Sequence, residues 1–471
     1  MEQILRFNDF VGGIVWGVPA MVLIFGTGIL LSIRCGFPQF ARFARMLRCA
    51  LGSMRRGERD DGEVSPFKAM CTALAAAIGT GNIAGVSGAV ALGGPGAVFW
   101  MWMSALVGMG TKFAEVTLAV RYRERNADGD WVGGPMYYIR NGLGKRWNWL
   151  GVLFCLFGAL SAFGIGNMTQ INTIAATVTE AVAGFAAVGE YERMVIELIV
   201  GVICSSVIFF VLFGGVSHIG DVCALLVPLM AGVYTLASLF VIALHAHEIP
   251  NALRAIVVGA FDPGAVAGGM AGVGIREAVK RGVGRGIFSN EAGLGSAPIA
   301  HAAANVKHPA EQGLYGMFEV FLDTIVICTM TALVILLGVG VENIPYGTDA
   351  GAVLAIDAFR SVFDGTAAGI VVAVCMTLFA IASVLAWGLY GARCCEYLLG
   401  SSAAKLYQLA FALCAIAGAT MELADVWAIA DTLNGLMALP NLVALLALSP
   451  EAARLSGEYF STAQKRNAGK R

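Results

Sequence analysis

The apolar residues of this chain neither alternate nor form stripes. They run in blocks of the length that crosses a bilayer, about 20 residues. The first block spans Val11 to Ile33. From Ala69 to Thr111 there is no Asp, Glu, Lys or Arg, and the turn Gly93-Gly94-Pro95-Gly96 divides this region into two spans. Further blocks cover Leu150 to about Thr179, then residues 195–213, 221–244, 314–338, 366–390, 403–421 and 427–448. Lipid offers backbone groups no partner, so the pattern predicts helices. Two spans are interrupted. Ser65 to Pro95 carries Gly79-Thr80-Gly81-Asn82 at its middle. Glycine costs a helix interior about 1 kcal/mol relative to alanine, which predicts a break there. About 210 residues later, Arg285 to Ala304 carries Ser289-Asn290-Glu291-Ala292-Gly293-Leu294-Gly295-Ser296, with Pro298 just beyond.

Interrupted apolar segments at corresponding places in two halves point to a transporter's binding site. Unwound backbone at membrane depth persists only where protein buries it or where it lines a wet cavity. With Val11–Ile33 set aside, five spans begin with one broken segment and five with the other. An odd number per repeat forces opposite orientations, the arrangement of an inverted repeat. The expected fold class is an all-α polytopic membrane protein with about eleven crossings. Its divisions are a first crossing and basic loop (1–64), a first five-helix repeat (65–245), an external connection (246–284), a second repeat (285–450) and a tail (451–471).

Charge sets the expected orientation. Arg34, Arg42, Arg45, Arg48, Arg55, Arg56 and Arg59 follow the first span, and Arg121, Arg123 and Arg125 follow the third. Cationic loops stay cytoplasmic, which places the N-terminus outside. Lys465, Arg466, Lys470 and Arg471 place the C-terminus in the cytoplasm, in agreement with eleven spans. A signal peptide is not expected, since its apolar core is shorter and a cleavage site follows it. Arg276, Lys280, Arg281 and Arg285 disagree, because they fall in the external connection. The rule is weakest for long loops such as this one.

Of the 471 residues, 58% are hydrophobic and 13% charged, against about 25% charged in soluble proteins. The net charge of −1 leaves no basic surface for nucleic acid. Eleven cysteines are scattered without a CxxC pair and read as small apolar packers. There is no GxxxxGK[ST], so ATP is not the energy source, and Gly79-x-Gly81-x-x-x-Gly85 lacks the strand a dinucleotide fingerprint needs. His245-x-His247 lacks further metal ligands. Ser296 and His301 invite an intramembrane protease reading, but five residues apart on a helix they diverge by about 140°. An ion channel is the other rival.

GTGNIAGV, GGPGAVFWMW, TKFAE, GGPMYYI, FGIGNMTQIN, FSNEAGLGSAPIAHAAA, QGLYGM and DTIVICTMTALVI together resemble the alanine or glycine:cation symporter family, within the amino acid-polyamine-cation superfamily. The resemblance runs from about residue 60 to 400. It implies the leucine-transporter fold, a 5+5 inverted repeat, with one extra N-terminal helix. It implies uptake of alanine or glycine across a prokaryotic plasma membrane. The driving gradient is sodium, or protons in some members. No cofactor other than the coupling ion, no nucleic acid and no obligatory protein partner is expected.

A zwitterionic amino acid needs a positive patch and a negative one, and a broken helix offers both: about +0.5 charge at an N-terminus and −0.5 at a C-terminus. Amides freed at Gly79, Thr80, Gly81 and Asn82 suit the carboxylate, and carbonyls around Phe288, Ser289, Asn290 and Glu291 suit the ammonium. Gln170 can donate and accept at this depth, and Asn172 is its neighbour; each is either a substrate contact or glue between helices. Trp387 is expected to close over the substrate or to pack. Glu291 and Asp323 need a reason to be charged at this depth, at a cost of at least about 2.5–3.5 kcal/mol. Asp323 is a candidate cation ligand or gate partner, and Asn82 a candidate cation ligand. Lys112 and Glu115 read as a solvated ion pair near the inner face.

In the fold this chain resembles, one sodium lies between carbonyls of the first broken helix and two consecutive hydroxyl residues on the eighth core span. The family pattern there is like FAFTTILGW; this chain reads Phe379-Ala380-Ile381-Ala382-Ser383-Val384-Leu385-Ala386-Trp387. Ser383 keeps the second hydroxyl and Ala382 has lost the first. Sodium, a hard cation, would take oxygens near Ala75, Ile78 and Gly79 together with Ser383.

Overall fold

The computed structural model describes residues 2–55, 64–185, 187–262, 274–348, 351–421 and 424–468. Arg56 and Arg59 of the basic loop, residues 263–273 of the connection, and Lys470 and Arg471 of the tail lie outside them. Nearly all described residues are helical; the β structure consists of two-residue strands, Glu124–Arg125 against Trp131–Val132.

Nine helices among the described residues are long and apolar enough to cross a membrane. The broken pair Pro66–Ala77 and Thr80–Gly93, bent by 60°, makes a tenth. The eleventh expected crossing is interrupted, with helices Ile275–Asn290 and Ala297–His301 of 16 and 5 residues. It begins ten residues before the expected Arg285. Arg276, Lys280, Arg281 and Arg285 therefore lie on its first half rather than in a loop. Arg281 pairs with Glu277 one turn back, at 3.2 Å.

Local chemistry fixes the ends that matter. Ser65 accepts from the Lys68 amide and Pro66 occupies the first turn, where a missing N–H costs nothing. The helix stops when Ile78 turns extended, and a short 3₁₀ turn, Thr80–Asn82, precedes Ala84–Gly93. The second broken helix stops at Glu291, whose φ of 54° is left-handed. Such a backbone is uncommon outside glycine and marks a fixed break.

Gly96–Arg121 packs between Ile275–Asn290 and Pro309–Val320, forming one group with the broken helices. Asn148–Phe163, Thr169–Ala183, Glu190–Phe213, Gly365–Leu399 and Ser401–Thr420 form a second. Gly215–Leu244 touches both the first broken helix and Gly365–Leu399. The N-terminal helices, Glu2–Val15 and Val18–Arg34, pack on Ala424–Ala468. Trp147 and Trp149 stay exposed and stacked, as residues at a membrane interface do.

Candidate functional site

The last carbonyls of a helix have no partner within it. At the end of Pro66–Ala77 they meet Ser383, which comes from Gly365–Leu399 in the opposite group. Its Oγ donates to Ala75 O at 3.0 Å and lies 3.4 Å from the carbonyl oxygens of Ala76 and Ile78. Gly79 permits this approach, since a β-carbon there would lie 2.7 Å from Ser383 Oγ. Ala75, Ile78 and Ser383 are thus brought together as expected, and Ala76 joins them. The Gly79 carbonyl faces its own turn and accepts from the Asn82 amide at 3.1 Å. Ala382, next to Ser383, is fully buried and brings no oxygen. A hydroxyl among orphan carbonyls, with no thiolate or imidazole, is a donor set for a hard cation.

On the other side of the break, Thr80 and Gly81 open the 3₁₀ turn, so their amides lack acceptors within it. Both stay partly exposed although Ile78, Asn82 and Ile83 are buried. Gln170 reaches this point: Thr80 Oγ1 donates to its Oε1 at 3.2 Å. The Gln170 amide is aimed by a π-helical stretch, Gly164–Met168, whose Ile165 carbonyl accepts from Nε2 at 3.3 Å. Such bulges are frequent at functional sites.

Asn82 joins the two broken helices. Its Nδ2 donates to Asp323 Oδ1 at 2.6 Å and to Ser289 Oγ at 3.1 Å, and lies 3.3 Å from Cys328 Sγ. Asp323 Oδ2 accepts from Ser289 at 2.8 Å and from Thr324 at 2.7 Å. Asn290 donates to Thr324 at 3.3 Å. Asp323, Thr324 and Cys328 lie in a second π-helical stretch, Phe321–Cys328. Thr324 and Cys328 were not foreseen; only adjacency to Asp323 signals the first of them.

Three sequence expectations are corrected. Asn172 does not face the site. Two residues on from Gln170 it points around the helix, and it donates to the Gly418 and Met421 carbonyls at 3.2 Å. Trp387 does not cover the site. It is buried in the notch left by Gly166, where a β-carbon would lie 2.4 Å from its own Cβ, and its ring meets Tyr390 at 5.7 Å. Phe288 is the aromatic that stands over Gly81, with Arg285 between them.

Lys112 and Glu115 form no solvated pair: both are fully buried. Lys112 bonds Glu319 at 3.2 Å, and the other Glu319 oxygen is 3.0 Å from His301 Nε2. Gln312 Nε2 lies 2.8 Å from His301 Nδ1 and donates to Pro66 O. Glu115 accepts from the Gly293 amide at 3.1 Å and from Asn441 at 2.6 Å. Ser296 donates to Glu291 at 2.5 Å. Ser296 and His301 thus have separate partners, and the protease reading has no dyad. No metal-binding group of His, Cys, Asp or Glu occurs among the described residues.

Two broken helices of inverted repeats, the first with donors and acceptors freed at its centre, define a secondary transporter of the leucine-transporter fold. The structure of MhsT in complex with L-phenylalanine shows the same fold: TM-score 0.55, 15% identity, covering 84% of this chain and 98% of that one. The model of the sodium:alanine symporter family matches residues 1–471, and the chain belongs to that family. It is 46% identical to the sodium/alanine symporter AgcS of Methanococcus maripaludis, over 93% of either chain. An uncharacterised transporter of Haemophilus influenzae is 44% identical over 98% of this chain and 96% of its own. The protein is a multi-pass membrane transporter and not an enzyme.

Proposed function

We propose that the protein takes up a small neutral amino acid, alanine or glycine, across the plasma membrane, driven by a sodium gradient. The supporting observation is the first break, where Ser383 Oγ gathers the Ala75, Ala76 and Ile78 carbonyls while Thr80 and Gly81, both partly exposed, open the 3₁₀ turn beside Gln170. Sodium takes the oxygens. The substrate carboxylate takes the amides, and carbonyls of Phe288, Ser289 and Asn290 at the end of the second half-helix take the ammonium. Asp323 and Asn82 are the candidate second cation site. Phe288 and the glycines leave room for a methyl group and not for a leucine side chain. The N-terminus lies outside and the C-terminus in the cytoplasm.

Asp323 favours a second reading. Its carboxylate is fully buried and the groups bonded to it, Asn82, Ser289 and Thr324, are neutral and leave its charge unbalanced, so a proton could serve as coupling ion. Counterflow and uptake of labelled alanine and glycine in proteoliposomes decide between them. Sodium should be required, leucine should not compete, and a pH gradient alone should not drive uptake. Uptake that follows the pH gradient and ignores sodium establishes the second reading; no uptake under either gradient refutes both.

A further inference from the structure

A guanidinium stands over the binding residues, and neither cargo explains it. Arg285 lies one turn before Phe288, and its Cζ is 4.9 Å from that ring's centre. Its Nε donates to Gly81 O at 3.1 Å. The first broken helix is hollowed to receive it. A β-carbon at Gly81 would lie 2.5 Å from Arg285 Nη2, and one at Gly85 only 1.6 Å from Cζ. Glycines four apart form a groove along one helix face. A charge at this depth is costly and calls for a function.

The extra N-terminal helices reach the same place. Trp16, at their junction, lies 6.4 Å from the Phe288 ring, and its Nε1 donates to Asp431 O at 3.0 Å. Asp431 is also within electrostatic reach of Arg285. Gly435, one turn on, leaves room for Val15 and Trp16.

We propose that Arg285, seated against Gly81 and Gly85 and backed by Phe288 and Trp16, is the latch of the outer gate. Held on Gly81 O, the guanidinium ties the outer halves of the two broken helices together and closes the passage to Thr80 and Gln170. Released, it lets those halves part. The N-terminal helices thereby belong to the gate through Trp16. The latch rests on the transporter reading, and its test does not depend on which amino acid is carried.

Cys328, 3.3 Å from Asn82 Nδ2, is a native reporter beneath the latch. Cells expressing the full chain are treated with a small, membrane-impermeant methanethiosulfonate, and modification of each cysteine is read by peptide mass. Arg285→Gln and Gly85→Ala should speed labelling of Cys328 roughly tenfold, the change that loss of one hydrogen bond from a charged group brings. Arg285→Lys should fall between, since it keeps the charge and loses the fork. Cys155, fully buried in the other helix group, should label at the wild-type rate; general loosening would speed both. If a variant does not reach the membrane, Trp16→Phe, which keeps the ring and loses the donor, makes the same comparison with a smaller gain. Unchanged Cys328 labelling in the variants that insert, or equal acceleration at Cys155, overturns the proposal. Normal gating in a protein that carries no alanine would instead refute the proposed substrate.

Discussion

The two breaks occupy corresponding places in the two repeats and are chemically unlike. The first, Ile78 to Ile83, has no charge, and its Thr80 and Gly81 remain partly exposed. Its spare oxygens are met from the opposite helix group by one hydroxyl, Ser383. The second, Glu291 to Ser296, is buried throughout. It is closed by side chains around it: Glu291 by Ser296, the Gly293 amide by Glu115 of the same helix group, and the Gly293 carbonyl by Asn441 of Ala424–Ala468 at 2.9 Å. Asn441 is held in turn by Tyr138. An unwound segment can thus be a binding surface or a filled joint. What separates them is that the Glu291 carboxylate and the Gly293 amide and carbonyl already have protein partners, whereas the Thr80 and Gly81 amides lack acceptors within their turn.

The largest test of this contrast is Gly81→Val. A branched side chain would enter the space of Arg285 and of the substrate, so alanine binding should vanish while membrane insertion persists. Near-normal affinity for labelled alanine would remove the first break from the site.

Ser383 sharpens the comparison from the opposite group. Ser383→Ala should raise the sodium half-saturation of uptake about tenfold, the equivalent of one lost oxygen contact of roughly 1.4 kcal/mol. Ala382→Thr should lower it by restoring a second hydroxyl. If neither moves it, the ion is held elsewhere, with Asp323 and Asn82 next.

Glu291→Gln probes the filled joint. It should lower thermal stability by about 1–3 kcal/mol, the cost of disturbing a buried hydrogen-bonded group. The sodium and alanine half-saturations should stay close to wild type. A large change in either with stability intact would make the second break a ligand site.

Asn172→Ala carries the smallest effect. Its amide joins two helices, an interaction worth about 0.6 kcal/mol in a membrane protein. Substrate affinity should not change, and a clear loss in a binding assay would return Asn172 to the site.

The first break was legible in the sequence because Gly79 and Gly81, set around a threonine at mid-span, weaken a helix where lipid gives it no help. Ser383 was legible through the family pattern. The second break was readable as a break and not as a closed one, because Glu115 and Asn441 lie far away in the chain. Lys112 was misread for the same reason: its partner Glu319 is 207 residues distant, and apolar surroundings predict cost without naming a partner. Arg285 looked like an anomaly of loop charge, since only the folded geometry shows Gly81 and Gly85 as its seat. Asn172 and Gln170 share a polar run, and only their angular separation on the helix brings one of them, Gln170, to the first break.

The first break also bears on energetics. Oxygens proposed for the ion and amides proposed for the amino acid belong to one short run of peptide units, Ala75 to Gly81. Fixing that run for one cargo prepares it for the other. Linkage makes the effect reciprocal: sodium must tighten alanine by the same factor as alanine tightens sodium. Couplings of this kind are worth about 1–3 kcal/mol, or roughly 5–150-fold in affinity. The free energy of the ion gradient then reaches the amino acid through the conformation of a few shared peptide bonds.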